Sequence, residues 1–160
     1  MKRIVGLLLI SILLLVGCLD TKSGDFDRIN YYLGADDTKY AFLFYDVPSA
    51  PPLTIDERVM NIHFDEQNIL ATSSAESFGW VNEKHSGPHN SIVYTKQGEQ
   101  LPEGEQFQAN GSIDFGDGRE FDYYTIYLTK EGGCFNEDGL NEFEYMKQMI
   151  ETIYGVKIQR

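Results

Sequence analysis

The chain has 160 residues, 25 of them acidic and 13 lysine or arginine, for a formal charge of −12. No basic stripe interrupts the acidic excess. That excludes a nucleic-acid binder and opposes a domain lying flat on anionic headgroups.

At the N-terminus, Lys2-Arg3 precedes a run from Ile4 to Val16 that is apolar apart from Gly6 and Ser11. At about thirteen residues it falls short of the roughly twenty that span a bilayer. It suits the hydrophobic region of an export signal. The run closes Leu15-Val16-Gly17-Cys18. These four residues resemble the lipobox of prokaryotic (bacterial or archaeal) lipoproteins, a likeness that covers residues 1–18. It implies that residues 1–17 are a removed signal peptide and that the Cys18 thiol carries diacylglycerol. It also implies an outward-facing protein anchored at the cell membrane. Two acyl chains hold a protein there stably where one does so only marginally. Residues 18–25 then form the anchor and a polar tether, and residues 26–160 a single globular domain. Losing Lys2 and Arg3 takes the formal charge from −12 to −14. Cys134 is left without a disulfide partner. Its acidic neighbours Glu131, Glu137 and Asp138 oppose a thiolate nucleophile, so it reads as a structural thiol.

Asp25 to Leu33 admits two readings. One is a short helix capped by Asp25. The other is a strand, Ile29–Leu33, paired with Tyr40–Tyr45 across the turn residues 35–38. "YAFLFY", Tyr40–Tyr45, is apolar on both faces and predicts an interior strand. "VPSAPP" then breaks any ladder. Met60, Ile62 and Phe64 alternate with Asn61, His63 and Asp65, the pattern of a half-exposed strand. Phe78–Val81 and Ile92–Tyr94 predict further short strands. Asn110-Gly111-Ser112 predicts a three-residue hairpin loop, because that loop sets Phe107 and Ile113 on one face. Gly116–Arg119 makes the next turn, and Phe121–Thr129 a long strand. From Asp138 onward, Leu140, Phe143, Met146, Ile150 and Ile153 recur at helical spacing, and Gly155 stops the helix. The expected class is α+β: an antiparallel β-sheet with a C-terminal amphipathic helix packed on one face.

Several patterns could carry chemistry. "DFGDG", Asp114–Gly118, resembles the signature turn of PKD repeats, Ig-like cell-surface modules, and Tyr124–Thr129 resembles the strand that follows it there. The same residues suit a plain glycine turn. Asp114, Asp117 and Asp122 cluster as calcium candidates. His63, Asp65, His85 and His89 are the candidates for a transition metal. Phe121, Tyr123 and Tyr127 share one strand face. They form either a covered layer or an aromatic surface for a glycan or an envelope protein. Asn110 heads the chain's Asn-x-Ser/Thr sequon. No nucleophile elbow, phosphate loop or zinc helix motif occurs. The sequence therefore points to a lipid-anchored extracytoplasmic binding or accessory module with no cofactor beyond the lipid on Cys18. A ligand-free structural envelope lipoprotein and an anchored hydrolase or metalloenzyme are the alternatives.

Overall fold

The computed structural model describes residues 26–80, 90–114, 118–128 and 139–158, with residues 139–145 by their backbone alone. The lipobox, the tether, His85, His89, Asp117 and Cys134 lie outside them.

Among the described residues, eight strands, a 3-10 turn (Glu103–Glu105) and one α-helix occur: β1 (Arg28–Tyr32), β2 (Tyr40–Phe44), β3 (Ile55–Asp56), β4 (Val59–His63), β5 (Ile69–Ala71), β6 (Asn90–Tyr94), β7 (Gln106–Asp114), β8 (Glu120–Leu128) and α1 (Gly139–Tyr154). They build two four-stranded sheets, β3-β4-β1-β6 and β5-β2-β8-β7. We refer to these as sheet A and sheet B.

The expected antiparallel sheet is not what forms. Both sheets are mixed, and the described residues are mostly β with one C-terminal α-helix. In sheet A, β1 pairs in parallel with β4 and with β6. In sheet B, β2 pairs in parallel with β5 and antiparallel with β8. The reason is the path of the chain. After β1 it crosses to sheet B for β2, returns for β3 and β4, crosses for β5, and returns again for β6. β3 runs against the others and turns back into β4, so β4 and β6 both run in the direction of β1, and parallel neighbours arise without crossover helices. β1 and β2 are therefore layers of a sandwich, not paired strands, and the segment 28–32 is not helical.

The sheets meet through Ile29, Tyr31, Met60, Ile62 and Val93 on one side and Ala41, Leu43, Tyr124 and Ile126 on the other. A second core lies on the far side of sheet B. There Phe42, Phe44 and Phe121 meet Met146, Met149 and Ile150 of α1, with Ile158 beyond it. Period-two alternation gives β2 an apolar row for each core, which is why "YAFLFY" shows no polar face. The Tyr154 hydroxyl donates to the Tyr45 carbonyl at 2.6 Å and latches the end of α1 to the end of β2. Gly155 follows at φ +64°, the left-handed stop expected of it.

Two local expectations fail for identifiable reasons. β7 runs straight through Asn110-Gly111-Ser112, and Gly111 pairs with Tyr123. The Tyr123 ring lies where a Cβ on residue 111 would be. This glycine gives clearance to an aromatic neighbour and turns nothing. The pairing of β7 with β8 continues to Asp114, opposite Glu120. The second failure is 78–80, which forms turns, with Phe78 N–H donating to Ala75 O and Trp80 N–H to Ser77 O. Phe78 and Trp80 pack on the inter-sheet core, Trp80 meets Phe26 edge-on at 5.2 Å, and Val81, the last residue of the expected strand, lies outside the described residues.

Asn68 fixes the chain crossings. It is fully buried, at φ +59°. Its Oδ1 accepts from the backbone N–H groups of Gly34 and Ala35, and its Nδ2 donates to Ala35 O and Thr38 Oγ1. One amide side chain thereby serves the β1–β2 crossing from within the β4–β5 turn.

Candidate functional site

The outer face of sheet A is the surface that this fold leaves open. Alternation turns Arg28, Asn30 and Tyr32 of β1 outward, because Ile29 and Tyr31 point into the inter-sheet core. Register sets Val59, Asn61 and His63 of β4 on one side of them and Asn90, Ile92 and Tyr94 of β6 on the other. Arg28, Asn61, His63 and Asn90 are exposed. Tyr32, Val59, Ile92 and Tyr94 are half-buried, and none of the four belongs to either core.

Three rings cross this face in a row. His63 stacks on Tyr32 at 4.4 Å between centroids and 6° between planes, and Tyr32 stacks on Tyr94 at 5.0 Å and 11°. β3 spans only Ile55–Asp56, opposite Met60 and Val59, so it stops short of His63. The side of the imidazole away from Tyr32 therefore faces no strand of sheet A. Next to the rings is an amide pair. Asn30 Nδ2 donates to Asn61 Oδ1 at 2.9 Å. Asn30 is 5% exposed, and its Oδ1 is buried without a hydrogen-bond partner. A buried acceptor left unpaired costs about 1–3 kcal/mol. The other such atom among the described residues is Thr125 Oγ1, which lies on the helix side of β8, inside the protein.

The interior beneath this face is rich in phenols. Tyr31 stacks on Tyr124 at 5.2 Å and 11°. Burial, followed by the nearby Tyr124 and Tyr45, pushes the Tyr31 hydroxyl well above the ordinary tyrosine range. Burial likewise raises Tyr45, assisted by Tyr124, Glu76 and Asp122, and raises Tyr124 to about 12. Gln108 Oε1 accepts from the Ser91 hydroxyl and from the Tyr124 hydroxyl, joining β6, β7 and β8 at the sandwich rim.

The residues singled out from sequence fall in several places. His63 belongs to the ring row. The Asp65 carboxylate instead accepts from the backbone N–H groups of Gln67 and Ile69, both at 2.8 Å, as a turn cap. Asp114 ends β7 opposite Glu120, and Asp122 sits on β8 with its carbonyl accepting from Tyr45 N–H. Among the described residues no three His, Cys, Asp or Glu side chains gather to hold a metal ion. Phe121, Tyr123 and Tyr127 lie on the face that α1 covers. Phe121 is buried 4.8 Å from the Tyr154 ring, Tyr123 is half-buried over Gly111, and Tyr127 meets Tyr40 and Phe107 at 5.5 and 5.8 Å. Asn30, Tyr32, Asn61 and Tyr94 were missed as a site. Their signal was the alternation in "RINYY" aligned beside "VMNIH", which is visible only once β1 and β4 are known to pair.

No family model matches the chain, and no curated protein does. A crystal structure from Bacillus anthracis, described as that of a candidate lipoprotein, is similar, with a TM-score of 0.57 and 21% identity over 82% of this chain and 98% of that one. That likeness shows the fold. Among the described residues, no helix is long and apolar enough to cross a membrane.

Proposed function

We propose that this chain is a lipid-anchored extracytoplasmic protein that holds a ligand on the outer face of sheet A. Cys18 is the attachment point, supported by the Leu15-Val16-Gly17-Cys18 order and by the fold shared with a protein described as a candidate lipoprotein. The observation that carries the binding reading is Asn30. A side chain 5% exposed keeps an acceptor without a partner, on a face whose neighbouring residues reach solvent. A molecule bound on this face that donates a hydrogen bond to Asn30 would repay that cost.

The anchor suits this use. Phe26 is buried, and the Arg58 guanidinium clasps the Asp27 carboxylate through two hydrogen bonds of 2.7 Å. The chain is thus gripped immediately after the tether, which reaches at most about 28 Å from Cys18 to Phe26. β1, β4 and β6 all run away from that entry point. The ring row lies four residues, about 13 Å, farther along them than Arg28.

Replacing Cys18 with Ser is expected to release the protein from the membrane fraction and abolish lipid labelling. Retention of the variant on membranes would overturn the anchor. For the face, the side-chain amide NMR signals of Asn30 and Asn61 are expected to shift on addition of a soluble envelope hydrolysate. Unmoved signals at saturating hydrolysate would overturn the binding reading.

A further inference from the structure

We infer that the ligand of this face is a neutral, polyhydroxylated one: a glycan that lays a sugar ring against His63 and donates a hydroxyl to Asn30 Oδ1. This rests on the reading of sheet A's outer face as a binding surface and names what binds there.

Charge gives the first argument. None of the nine outward residues of β1, β4 and β6 is acidic, in a chain with 25 acidic residues. The face therefore offers no carboxylate to a cationic ligand. It carries one full cation, Arg28, too few for a polyanion approaching a chain whose formal charge is −12 before Lys2 and Arg3 are removed with the signal and −14 after.

Hydrogen bonding gives the second. Asn30 presents a free acceptor. Asn61 is exposed and has its Oδ1 engaged by Asn30, so its amide offers a ligand the donor Nδ2. An acceptor beside a donor matches hydroxyl groups, which do both. The rings give the third. His63 stands at the open end of a stacked row, with one face on Tyr32 and the other past the end of β3. Asn61 and His63 are two positions apart on β4, roughly 7 Å, a span that one pyranose ring bridges. Its C–H face meets the imidazole while its hydroxyls reach the amides.

The competing occupants fit less well. A peptide adding a strand needs a free ladder edge. The outer edge of β6 is taken by the returning segment 95–101, where Leu101 N–H donates to Val93 O and Thr95 N–H to Glu99 O, and on the other side β3 pairs β4 as far as Met60, which leaves only the short edge Asn61–His63. A second copy of the chain needs an apolar patch, and this face offers only Val59 and Ile92 beside its rings.

The test applies the full chain, held in detergent, to an array of neutral oligosaccharides, followed by titration with the best retained member. Wild-type protein is expected to bind at least one of them. Asn30→Leu and His63→Ala are each expected to weaken that binding at least tenfold. His63 is exposed, so its variant folds whatever Asn30→Leu does. Either a silent array or equal binding by wild type and both variants overturns the glycan. If envelope hydrolysate still shifts the Asn30 and Asn61 signals, the glycan alone has failed. If neither probe acts, the binding face has failed with it. Size-exclusion analysis adds the remaining outcome, since a dimer broken by His63→Ala would replace the glycan with a second copy.

Discussion

The two sheets have four strands each, yet their outer faces differ in kind. Sheet B presents Phe42, Phe44 and Phe121 outward, and α1 covers them. Sheet A presents Arg28, Asn30, Tyr32, Asn61 and His63, and stays open at Arg28, Asn61 and His63. Parallel strands are ordinarily buried on both faces. β1 is a central strand with two parallel neighbours, and it breaks that habit. Stability in this molecule is concentrated between the sheets and under the helix. The outward residues of sheet A lie outside both cores, and among them Asn30 keeps a buried acceptor without a partner.

Alkali offers the largest test of this contrast, through the phenols between the sheets. Tyr31, Tyr45 and Tyr124 have their folded-state pKa values raised, with burial as the first cause of each. The sign follows from linkage: the stability they allow is complete below the unfolded value near 10. It is lost as pH rises toward the folded values, because only the unfolded chain releases these protons. Each buried phenol costs about 1.4 kcal/mol for every pH unit above 10, on the order of 4 kcal/mol for the three at pH 11. The urea midpoint should be flat to pH 9 and collapse beyond 10, with tyrosinate absorbance rising in the same transition. A midpoint unchanged at pH 11 would show that these hydroxyls are not sealed in.

The second test addresses the covered face. Ile150 is fully buried between α1 and sheet B. Ile150→Ala should cost about 2–5 kcal/mol, as large-to-small changes do in packed cores. Urea unfolding measures it, and a cost under 1 kcal/mol would mean that the helix layer is loosely held.

The sequence was legible where the signal was local. The interior strand expected at Tyr40–Tyr45 and found at Tyr40–Phe44, the alternation of 60–64, the long strand expected from Phe121 and found at Glu120–Leu128, and the buried helix positions Met146 and Ile150 follow from side-chain periodicity, which neighbours in the chain create. What stayed hidden was which strand pairs with which. "RINYY" reads equally well as a helix turn or as a hairpin partner of "YAFLFY". Nothing in either stretch encodes that they belong to different layers. The same gap concealed the site. His63 was visible as an exposed histidine, but its stacking on Tyr32 depends on a parallel pairing across 31 residues of sequence. Gly111 misled for a related reason, since a glycine under a cross-strand tyrosine looks the same in sequence as one in a turn.

The smallest expected effect is the sharpest, because its sign separates a structural residue from a binding one. Asn30→Leu replaces an amide with an apolar group of similar volume. It removes a buried acceptor that has no partner, and it releases Asn61, which is exposed and recovers its hydrogen bond from water. Stability should therefore rise, by about 1 kcal/mol, with the urea slope unchanged. Thr125→Val is the matched control, since it deletes the other orphaned acceptor at constant shape beneath the helix. Both variants should be more stable than wild type, but only Asn30→Leu should impair ligand binding. A loss of stability in Asn30→Leu would make Asn30 part of the scaffold. Its unpaired carbonyl would then say nothing about a ligand, and the contrast between the two outer faces would reduce to which of them the helix happens to cover.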